Sequence, residues 1–239
     1  GSTDVSVGSA TLTLTSTNNG DCLPESAPVL ITVTPAPFVD AGLDQIVCQN
    51  SPDVSLLGIV TGGTTTGIWT SSGTGSFSPS STDLNATYTP SGADITAGTV
   101  TLVIESTTNG NCLMESDTIV ITITTAPVVD AGIDVVMCAN NLVNLAGMVT
   151  GFTTTGIWTT SGTGTFAPSS TDLNATYTPS ALDTTTGSLT ITLTSTNNAS
   201  CIPTIDNMLI TFTPAPMVNA GTDMRVCNSN TVTNINGVK

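Results

Sequence analysis

The chain has 239 residues, of which 17 are acidic and only two are basic, so its formal net charge is −15. A chain this acidic repels phosphate backbones and anionic membrane surfaces, which excludes nucleic acid as a partner. It contains no histidine, and its two basic residues are Arg225 and Lys239, so catalysis by a Ser-His, Cys-His or Ser-Lys arrangement is excluded. We therefore expect a protein that is not an enzyme.

The apolar residues alternate with threonine, which indicates strands rather than disorder. Apolar residues make up 38% of the chain and charged residues 8%, and residues 11–15 and 190–194 show the alternation clearly. Such a period of two places side chains on opposite faces of a sheet. No apolar run is long enough to cross a bilayer, so we expect no membrane insertion. The hydroxyl-rich surface offers a trypsin-like protease almost nothing to cut, as suits a protein at the cell surface or outside the cell.

A unit of about 90 residues is repeated along the chain. Residues 79–91 and 168–180 both read PSSTDLNATYTPS, and Trp158 follows Trp69 at the same spacing. A unit of this length is typical of one small β-sandwich in a tandem array. We divide the chain into the C-terminal part of a repeat, two complete repeats and the N-terminal part of a repeat, at residues 1–34, 35–124, 125–213 and 214–239.

The first complete repeat opens with Pro35-Ala36-Pro37, and because proline stiffens the backbone we expect short, stiff joints and an elongated array. The predicted strands follow in chain order at residues 38–42 with 45–48, 54–60, 67–70, around Phe77, 85–89, 99–105 and 117–124. The last two are joined by a hairpin-type turn at Thr108-Asn109-Gly110. About seven short strands without helical periodicity are typical of the immunoglobulin fold. The predicted fold class is therefore all-β, with tandem immunoglobulin-like β-sandwiches.

Each complete repeat has one tryptophan, Trp69 or Trp158, on the third predicted strand. Sandwiches of this kind bury their largest side chain there, so we expect both in the core rather than on a ligand-stacking surface. Aromatic residues make up only 4% of the chain, which leaves few for a carbohydrate-binding face.

Glu115 and Asp117 are a candidate pair of carboxylates for acid–base chemistry. They lie beside the predicted hairpin turn, and the next repeat has Thr204 and Asp206 in those places. A catalytic pair would be kept between copies of one unit, so we reject a catalytic site here.

Asp40 and Asp44, repeated as Asp130 and Asp134, follow the joints, where cadherin-like rods place carboxylates around Ca²⁺. Ca²⁺ takes six to eight oxygen ligands, and no dense run of aspartates supplies them here. Calcium is therefore kept as an alternative to a simpler role, in which Asp40 caps a turn before Gly42 and Asp44 is solvated. No other cofactor is expected.

Two cysteines in each repeat predict structural disulfides, because the chain is rich in strands and the C-x-x-C spacing of metal sites is absent. One series falls at the end of the first strand and the other in the late hairpin turn. The first series is Cys48, Cys138 and Cys227, and the second is Cys22, Cys112 and Cys201.

Three pairing schemes are open. The simplest joins Cys48 to Cys112 and Cys138 to Cys201 within each repeat. In immunoglobulin topology these positions lie at opposite ends of the sandwich, about 30 Å apart for a strand of about nine residues, whereas a disulfide needs a Cα separation of about 4.4–6.8 Å. A staple between domains, from Cys48 to the late turn that carries Cys201, avoids this distance and is favoured. The third scheme is Cys22–Cys48, Cys112–Cys138 and Cys201–Cys227.

Several strings resemble a known class of repeat. VDAGLDQIVC at residues 39–48, GIWT, SGTGSF, LNATYTPS, and TLVIESTTNGNC at residues 101–112 are similar to the PKD-like, immunoglobulin-fold repeats of very large Bacteroidetes surface proteins, above all gliding-motility adhesins of the SprB type. The resemblance covers the whole chain, although Asn219 stands where Asp40 and Asp130 stand. It implies a cell-surface filament that is exported by the type IX secretion system and propelled along the cell.

The two partial repeats supply only two strands each. They leave apolar side chains such as Leu30, Ile31, Met217, Val218 and Val226 without the rest of a sandwich, and an isolated two-stranded piece is marginal in water. We expect fast amide exchange in both, with the missing strands supplied by a neighbouring copy or by a longer chain.

These observations predict a repeat segment of a large extracellular filamentous adhesin, acting as a stalk or as a surface-gripping element in cell adhesion and gliding motility. The expected partners are an extracellular surface or polysaccharide, and neighbouring repeats of the same chain or filament. The alternative is an array of carbohydrate-binding or spacer modules of a secreted polysaccharide-degrading enzyme. Such modules usually present a strip of exposed aromatic side chains.

Overall fold

The computed structural model describes residues 8–223 together with residues 225, 227 and 228. Part of the predicted partial repeat at residues 214–239, including Val226, therefore lies outside the described residues, as does the beginning of the partial repeat at residues 1–34. The chain forms two compact units, Gly1–Thr125 and Ala126–Lys239. Within the described ranges, no helix is long and apolar enough to cross a membrane.

The first unit begins with an antiparallel hairpin of β1 (Ser9–Thr15) and β2 (Ser26–Thr32). Its apolar side chains are exposed: Leu12 is 55% exposed and Leu14 79%. The equivalent residues one repeat later, Leu102 and Ile104, are fully buried. The hairpin therefore has the strands that end a repeat, with their core-facing side open.

The complete repeat that follows has a four-stranded sheet. Its strands are β4 (Gln45–Cys48), β7 (Thr66–Ser71), β10 (Thr99–Thr107) and β11 (Ser116–Thr124). They lie in the order β4–β11–β10–β7, in which β10 is antiparallel to both neighbours. In contrast, β11 pairs in parallel with β4, with Ile121 opposite Gln45 and Thr124 opposite Cys48. A strand from the start of the domain thus runs beside its last strand.

Shorter strands form the second layer. They are β3 (Phe38–Asp40), β5 (Val54–Ser55), β6 (Ile59–Thr61), β8 (Ser76–Ser78) and β9 (Thr87–Thr89). β3 pairs with β6, and β9 pairs with both β5 and β8, all antiparallel. The single strand predicted at residues 54–60 is divided between β5 and β6. Hydrogen bonds from Leu56 N–H to Ala86 O and from Gly58 N–H to Leu84 O carry the line of pairing across the gap.

The two layers enclose one apolar core. Along β10, alternate side chains from Val100 to Ser106 are buried, because successive residues of a strand face opposite sides of the sheet. Trp69 and Tyr88 are the largest of the fully buried side chains in this repeat, which confirms the prediction that Trp69 is a core residue. Its indole Nε1 donates to the Leu84 carbonyl oxygen at 3.3 Å, so the buried polar end has a partner.

A short helix, Gly92–Ala97, lies between β9 and β10. The Ser91 hydroxyl accepts the N–H of Asp94, and the Asp94 carboxylate accepts the N–H of Ser91, which together form a capping box. Gly98 ends the helix in the left-handed conformation at φ 76°. No helix is predicted from the sequence, so this element is a correction.

The second unit contains a complete repeat with the same architecture as the first. Its elements are β12 (Val128–Asp130), β13 (Val135–Cys138), β14 (Val143–Asn144), β15 (Met148–Thr150), β16 (Gly156–Thr160), β17 (Thr165–Ala167), β18 (Thr176–Thr178), the helix Ala181–Thr186, β19 (Ser188–Ser195) and β20 (Ile205–Thr213). The four-stranded sheet again has a parallel edge, in the order β13–β20–β19–β16, and Trp158 is buried. The protein is therefore all-β in class, with tandem immunoglobulin-like sandwiches.

Candidate functional site

A buried aspartate organises the turns at one side of each complete repeat. In the first repeat Asp94 is only 4% exposed, although a carboxylate is rarely buried without partners. Its Oδ2 accepts hydrogen bonds from the Tyr88 hydroxyl and from Ser91 N–H, both at 2.9 Å, and its Oδ1 accepts one from Thr74 N–H at 2.9 Å. The carboxylate thereby joins the short helix, β9 and the turn after β7.

The second repeat has the same network. Asp183 accepts hydrogen bonds at 2.8 Å from the Tyr177 hydroxyl, from Ser180 N–H and from Thr163 N–H. The identical donor set in both repeats shows that this arrangement belongs to the repeat itself.

The hydrogen bonds set the ionisation of this aspartate. Burial alone would raise the pKa of the Asp94 carboxyl, but the donors from Ser91, Thr74 and Tyr88 stabilise the carboxylate more and lower the pKa to about 2. The pKa of Asp183 is lowered to about 2 in the same way. The pKa of Tyr88 is raised, chiefly by burial. At neutral pH the pair is a fixed anion and a fixed donor, which fits a structural role rather than proton transfer.

Two glycines of the SGTGSF string leave room for this network. A Cβ atom at Gly73 would lie 2.2 Å from Asp94 Oδ1, and one at Gly75 would lie 2.6 Å from the Tyr88 hydroxyl oxygen. Real Cβ atoms do not approach other atoms so closely, so a side chain at either position would displace the carboxylate or the phenol. The glycine spacing in this string is therefore explained by packing.

This network was not predicted from the sequence, although the sequence contains a signal for it. Ser91-x-x-Asp94 is a capping-box pattern, and Gly98 follows at the distance of a helix C-cap. The same pattern recurs at Ser180-x-x-Asp183. The segment is so short that apolar periodicity gave no indication of a helix.

The aspartates considered as calcium ligands accept backbone N–H groups. Asp40 Oδ1 accepts from Gly42 N–H at 2.8 Å, which confirms the predicted turn cap, and Asp44 Oδ1 accepts from Val120 N–H of β11 at 2.8 Å. Asp44 is exposed to solvent, as expected, but its carboxylate also holds β11 through this hydrogen bond. The second repeat has the same bonds, from Gly132 N–H to Asp130 and from Leu209 N–H to Asp134. In the part of the chain that the structure describes, no group of three or more His, Cys, Asp or Glu side chains could hold a metal ion.

Glu115 and Asp117 also have separate roles. Asp117 Oδ2 accepts the N–H of Ala41 at 2.8 Å, and this bond, with a further backbone donor at Thr118, lowers the pKa of the carboxyl. Glu115 is exposed. Asp117 thus fixes the loop before β4 to β11, which is a structural contact.

The cysteines of a complete repeat lie at its two ends. Cys112, in the turn between β10 and β11, has its Sγ 3.6 Å from the carbonyl oxygen of Pro35, where the chain enters the repeat, and we call this end the upstream pole. Cys138, the last residue of β13, has its Sγ 4.0 Å from the carbonyl oxygen of Pro214, where the chain leaves the repeat, and we call this end the downstream pole. Cys201 has the same position in its repeat as Cys112 and is therefore an upstream-pole cysteine. Cys48 has the same position as Cys138 and is therefore a downstream-pole cysteine.

The cysteines differ in oxidation state. Cys48 and Cys201 are disulfide-bonded, whereas Cys22, Cys112 and Cys138 are thiols. The scheme that pairs cysteines within one repeat is therefore wrong, because it requires disulfides at Cys112 and Cys138, which are thiols. The third scheme is wrong as well, since it requires bonds at all three of these thiols. Both cysteines of the favoured staple are oxidised, and the staple stays a prediction.

The comparisons with known proteins give distant structural likenesses. No family model and no curated protein sequence matches the chain. Similar solved structures include the insect immune protein hemolin, with 11% identity, TM-score 0.42, and coverage of 85% of this chain and 56% of that chain. Immunoglobulin domains 1–4 of Sidekick-1 give 13% identity, TM-score 0.42, and coverage of 83% and 57%. Extracellular domains 3–5 of Drosophila OTK give 13% identity, TM-score 0.42, and coverage of 80% and 67%.

The chain thus spans little more than half the length of the first two structures. At these identities and TM-scores the immunoglobulin-like assignment rests on the strand pairing described above, with its parallel edge strand and its antiparallel partners.

Proposed function

We propose that the chain is a repeat segment of a large extracellular filamentous adhesin, in which it serves as a stalk or as a surface-gripping element in cell adhesion and gliding motility. The observation that carries the proposal is the duplication of a complete sandwich, down to its buried Asp–Tyr pair, as Asp94 with Tyr88 and Asp183 with Tyr177. Tandem copies of one structural unit are suited to reach and spacing. The gliding and secretion parts of the proposal rest on the sequence resemblance alone.

Two further observations support a role outside the cell. Cys48 and Cys201 are oxidised, and disulfides persist in extracellular compartments. The outward face of β19 is neutral and hydroxyl-rich, since Thr190, Thr192 and Thr194 alternate with buried aliphatic residues. Such a face can exchange hydrogen bonds with a hydroxylated surface or a polysaccharide without strong electrostatic selectivity.

The alternative, an array of carbohydrate-binding modules, has less support. The chain has two tryptophans and two tyrosines, and all four are buried in the cores of the repeats. The flat strip of exposed Trp or Tyr that such modules usually present is therefore not formed by these side chains.

Antibodies against the purified segment test the location and the role together. We expect them to label intact, unpermeabilised cells that produce the native protein, to show label moving along gliding cells, and to reduce attachment to glass. Labelling only after permeabilisation would contradict an extracellular filament. Static label on cells that glide normally would contradict the gliding part alone.

Small-angle scattering tests the stalk reading, because the proline-containing joints predict an elongated particle. A compact particle would contradict a stalk. Sedimentation with insoluble polysaccharides distinguishes the adhesin from the carbohydrate-binding array. Saturable binding of the segment to one polysaccharide, together with no effect of the antibodies on cell attachment, would favour the carbohydrate-binding array.

A further inference from the structure

Two thiols occupy positions whose equivalents in the other repeat are oxidised. Cys112 corresponds to disulfide-bonded Cys201, and both lie in the late turn at the upstream pole. The turns are held alike: Cys112 N–H donates to Asn109 O at 3.0 Å, and Cys201 N–H donates to Asn198 O at 2.8 Å. The local structure that presents the sulfur is thus the same in the reduced and the oxidised case.

The downstream pole shows the same relation between Cys138 and disulfide-bonded Cys48. Cys138 lies opposite Thr213 and Cys48 lies opposite Thr124, each at the end of the parallel ladder. In both repeats the residue after the cysteine donates its N–H to the carbonyl oxygen of that threonine, at 2.9 Å and 2.8 Å. Cys138 is therefore placed as Cys48 is, but remains a thiol.

The two thiols also remain reachable. Cys112 and Cys138 are each partly exposed, and since they are the upstream-pole and downstream-pole cysteines of different repeats, neither has its partner within its own sandwich. The oxidised cysteines of this structure comprise one of each pole type, Cys201 and Cys48.

We propose that Cys112 and Cys138 are cross-linking positions, each of which forms a disulfide with a cysteine of the opposite pole type in another repeat of the same kind. An upstream-pole cysteine forms its disulfide with a downstream-pole cysteine, so every repeat has one disulfide at each pole. The proposal rests on the tandem-repeat part of the proposed function and names the partner, which in the test is a second copy of this chain.

The bond forms by thiol–disulfide exchange with oxidised glutathione. The thiolate of Cys138 attacks one glutathione sulfur, which gives a mixed disulfide and releases one reduced glutathione. The thiolate of Cys112 on another copy then attacks the Cys138 sulfur and displaces the second glutathione. Two protein thiols and one oxidised glutathione thus give one protein disulfide and two reduced glutathione molecules.

Two variants of the full chain test whether disulfides form only between cysteines of opposite pole types. By repeat position Cys22 is of the upstream-pole type and Cys227 of the downstream-pole type. The first variant, Cys22→Ser with Cys112→Ser, lacks the upstream-pole cysteines other than Cys201, and the second, Cys138→Ser with Cys227→Ser, lacks the downstream-pole cysteines other than Cys48. Both retain Cys48 and Cys201. Each is oxidised in a glutathione buffer and analysed by non-reducing electrophoresis, intact mass and peptide mapping.

We expect the unaltered chain to give reducible covalent oligomers and each variant alone to stay monomeric. An equal mixture of the two variants should give a heterodimer, bridged by one cysteine of each pole type. Covalent dimers of either variant alone would show pairing of like types and would overturn the proposal, as would monomers in every sample. Far-UV circular dichroism verifies the fold of each variant. Variants with alanine instead of serine at the same cysteines repeat the test if a serine variant does not fold. Because the readout is covalent mass, its outcome is independent of the labelling and attachment experiments.

Discussion

The hydroxyl of Tyr88 donates a hydrogen bond to the carboxylate of Asp94 at 2.9 Å in the interior of the first complete repeat. Tyr177 and Asp183 make the same bond in the second repeat at 2.8 Å. A carboxylate is removed from water at a high free-energy cost, so it is stable in a small domain only where several donors compensate for that cost. We infer that this pair contributes strongly to the stability of each sandwich.

Replacing Asp94 should destabilise the first repeat. Asp94→Ala leaves the buried Tyr88 hydroxyl and the Thr74 N–H without their acceptor, so we expect the free energy of unfolding to fall by about 3 kcal/mol. Glu115→Ala removes an exposed carboxylate from the same repeat and should change it by no more than about 0.5 kcal/mol. Urea unfolding followed by tryptophan fluorescence measures both, and equal effects of the two substitutions would contradict the structural role of Asp94.

Acid should destabilise the protein in a defined pH range. The pKa of Asp94 and of Asp183 is lowered in the folded state from 3.8 to about 2. A lowered folded-state pKa adds stability above the unfolded-state pKa, and this stability is lost as the pH falls through the folded-state value. We expect the melting temperature to fall between about pH 4 and about pH 2, with a loss of about 2 kcal/mol for each repeat.

The double variant Asp94→Asn with Asp183→Asn is the control for this pH dependence. It should melt at a lower temperature at neutral pH and lose most of the acid-induced change, because asparagine does not titrate. Melting curves at a series of pH values test this, and an unchanged acid slope in the double variant would show that other groups are responsible.

A methyl group added at Gly58 should destabilise the core of the first complete repeat. A Cβ atom there would lie 2.7 Å from Ile104 Cδ1 and 2.8 Å from Trp69 Cζ2, both buried side chains. We expect Gly58→Ala to destabilise the repeat by about 1–3 kcal/mol through overpacking. Gly92, at the start of the short helix, has open space around it, so Gly92→Ala should be neutral or stabilising by up to about 1 kcal/mol. Thermal melting of the two variants would refute this account if both lost stability equally.

Reduction should lower the melting temperature, because Cys48 and Cys201 are oxidised and a disulfide typically contributes about 2–4 kcal/mol. The variant Cys48→Ala with Cys201→Ala should melt at the lower temperature and be insensitive to reductant. Peptic mapping without reduction tests the staple predicted from the sequence, which joins the peptides that contain these two cysteines. An unchanged melting curve after complete reduction, verified by mass, would exclude a stabilising disulfide.

The β1–β2 hairpin should exchange its amide hydrogens faster than the β10–β11 hairpin. Both have the same number of register pairs, but Leu14 is mostly exposed whereas its equivalent Ile104 is fully buried. A two-stranded ribbon without a covered face opens readily. Hydrogen–deuterium exchange with mass spectrometry compares the two directly, and equal protection in a monomeric sample would mean that the open face of β1–β2 is covered.

The regular parts of this fold could be predicted from the sequence for physical reasons. Alternating burial requires alternating side chains, so strands such as β10 and β11 follow from the pattern of threonine and aliphatic residues. Trp69 could be placed in the core because so large a side chain has few other positions in a small sandwich. Each of these inferences depends only on neighbours along the chain.

The network around Asp94 could not be predicted in this way. Its donor Thr74 lies 20 residues earlier in the chain, and only the folded arrangement of the turn after β7 brings the two together. The pairing of the cysteines could not be predicted either, because their spacing left three schemes open. Two of these schemes were excluded only by the folded structure, in which Cys22, Cys112 and Cys138 are thiols and Cys48 and Cys201 are disulfide-bonded.

The parallel pairing of β4 with β11 has a mechanical consequence. Gln45 and Cys48 lie near the start of the repeat, and Ile121 and Thr124, their partners, lie at its end. When the chain is pulled from both sides, the two strands are drawn in opposite directions along their length. The ladder bonds between them are then strained together in shear, instead of opening one after another as in a zipper. A repeat with this strand order resists tension along the chain by the joint action of bonds that each contribute only about 1 kcal/mol.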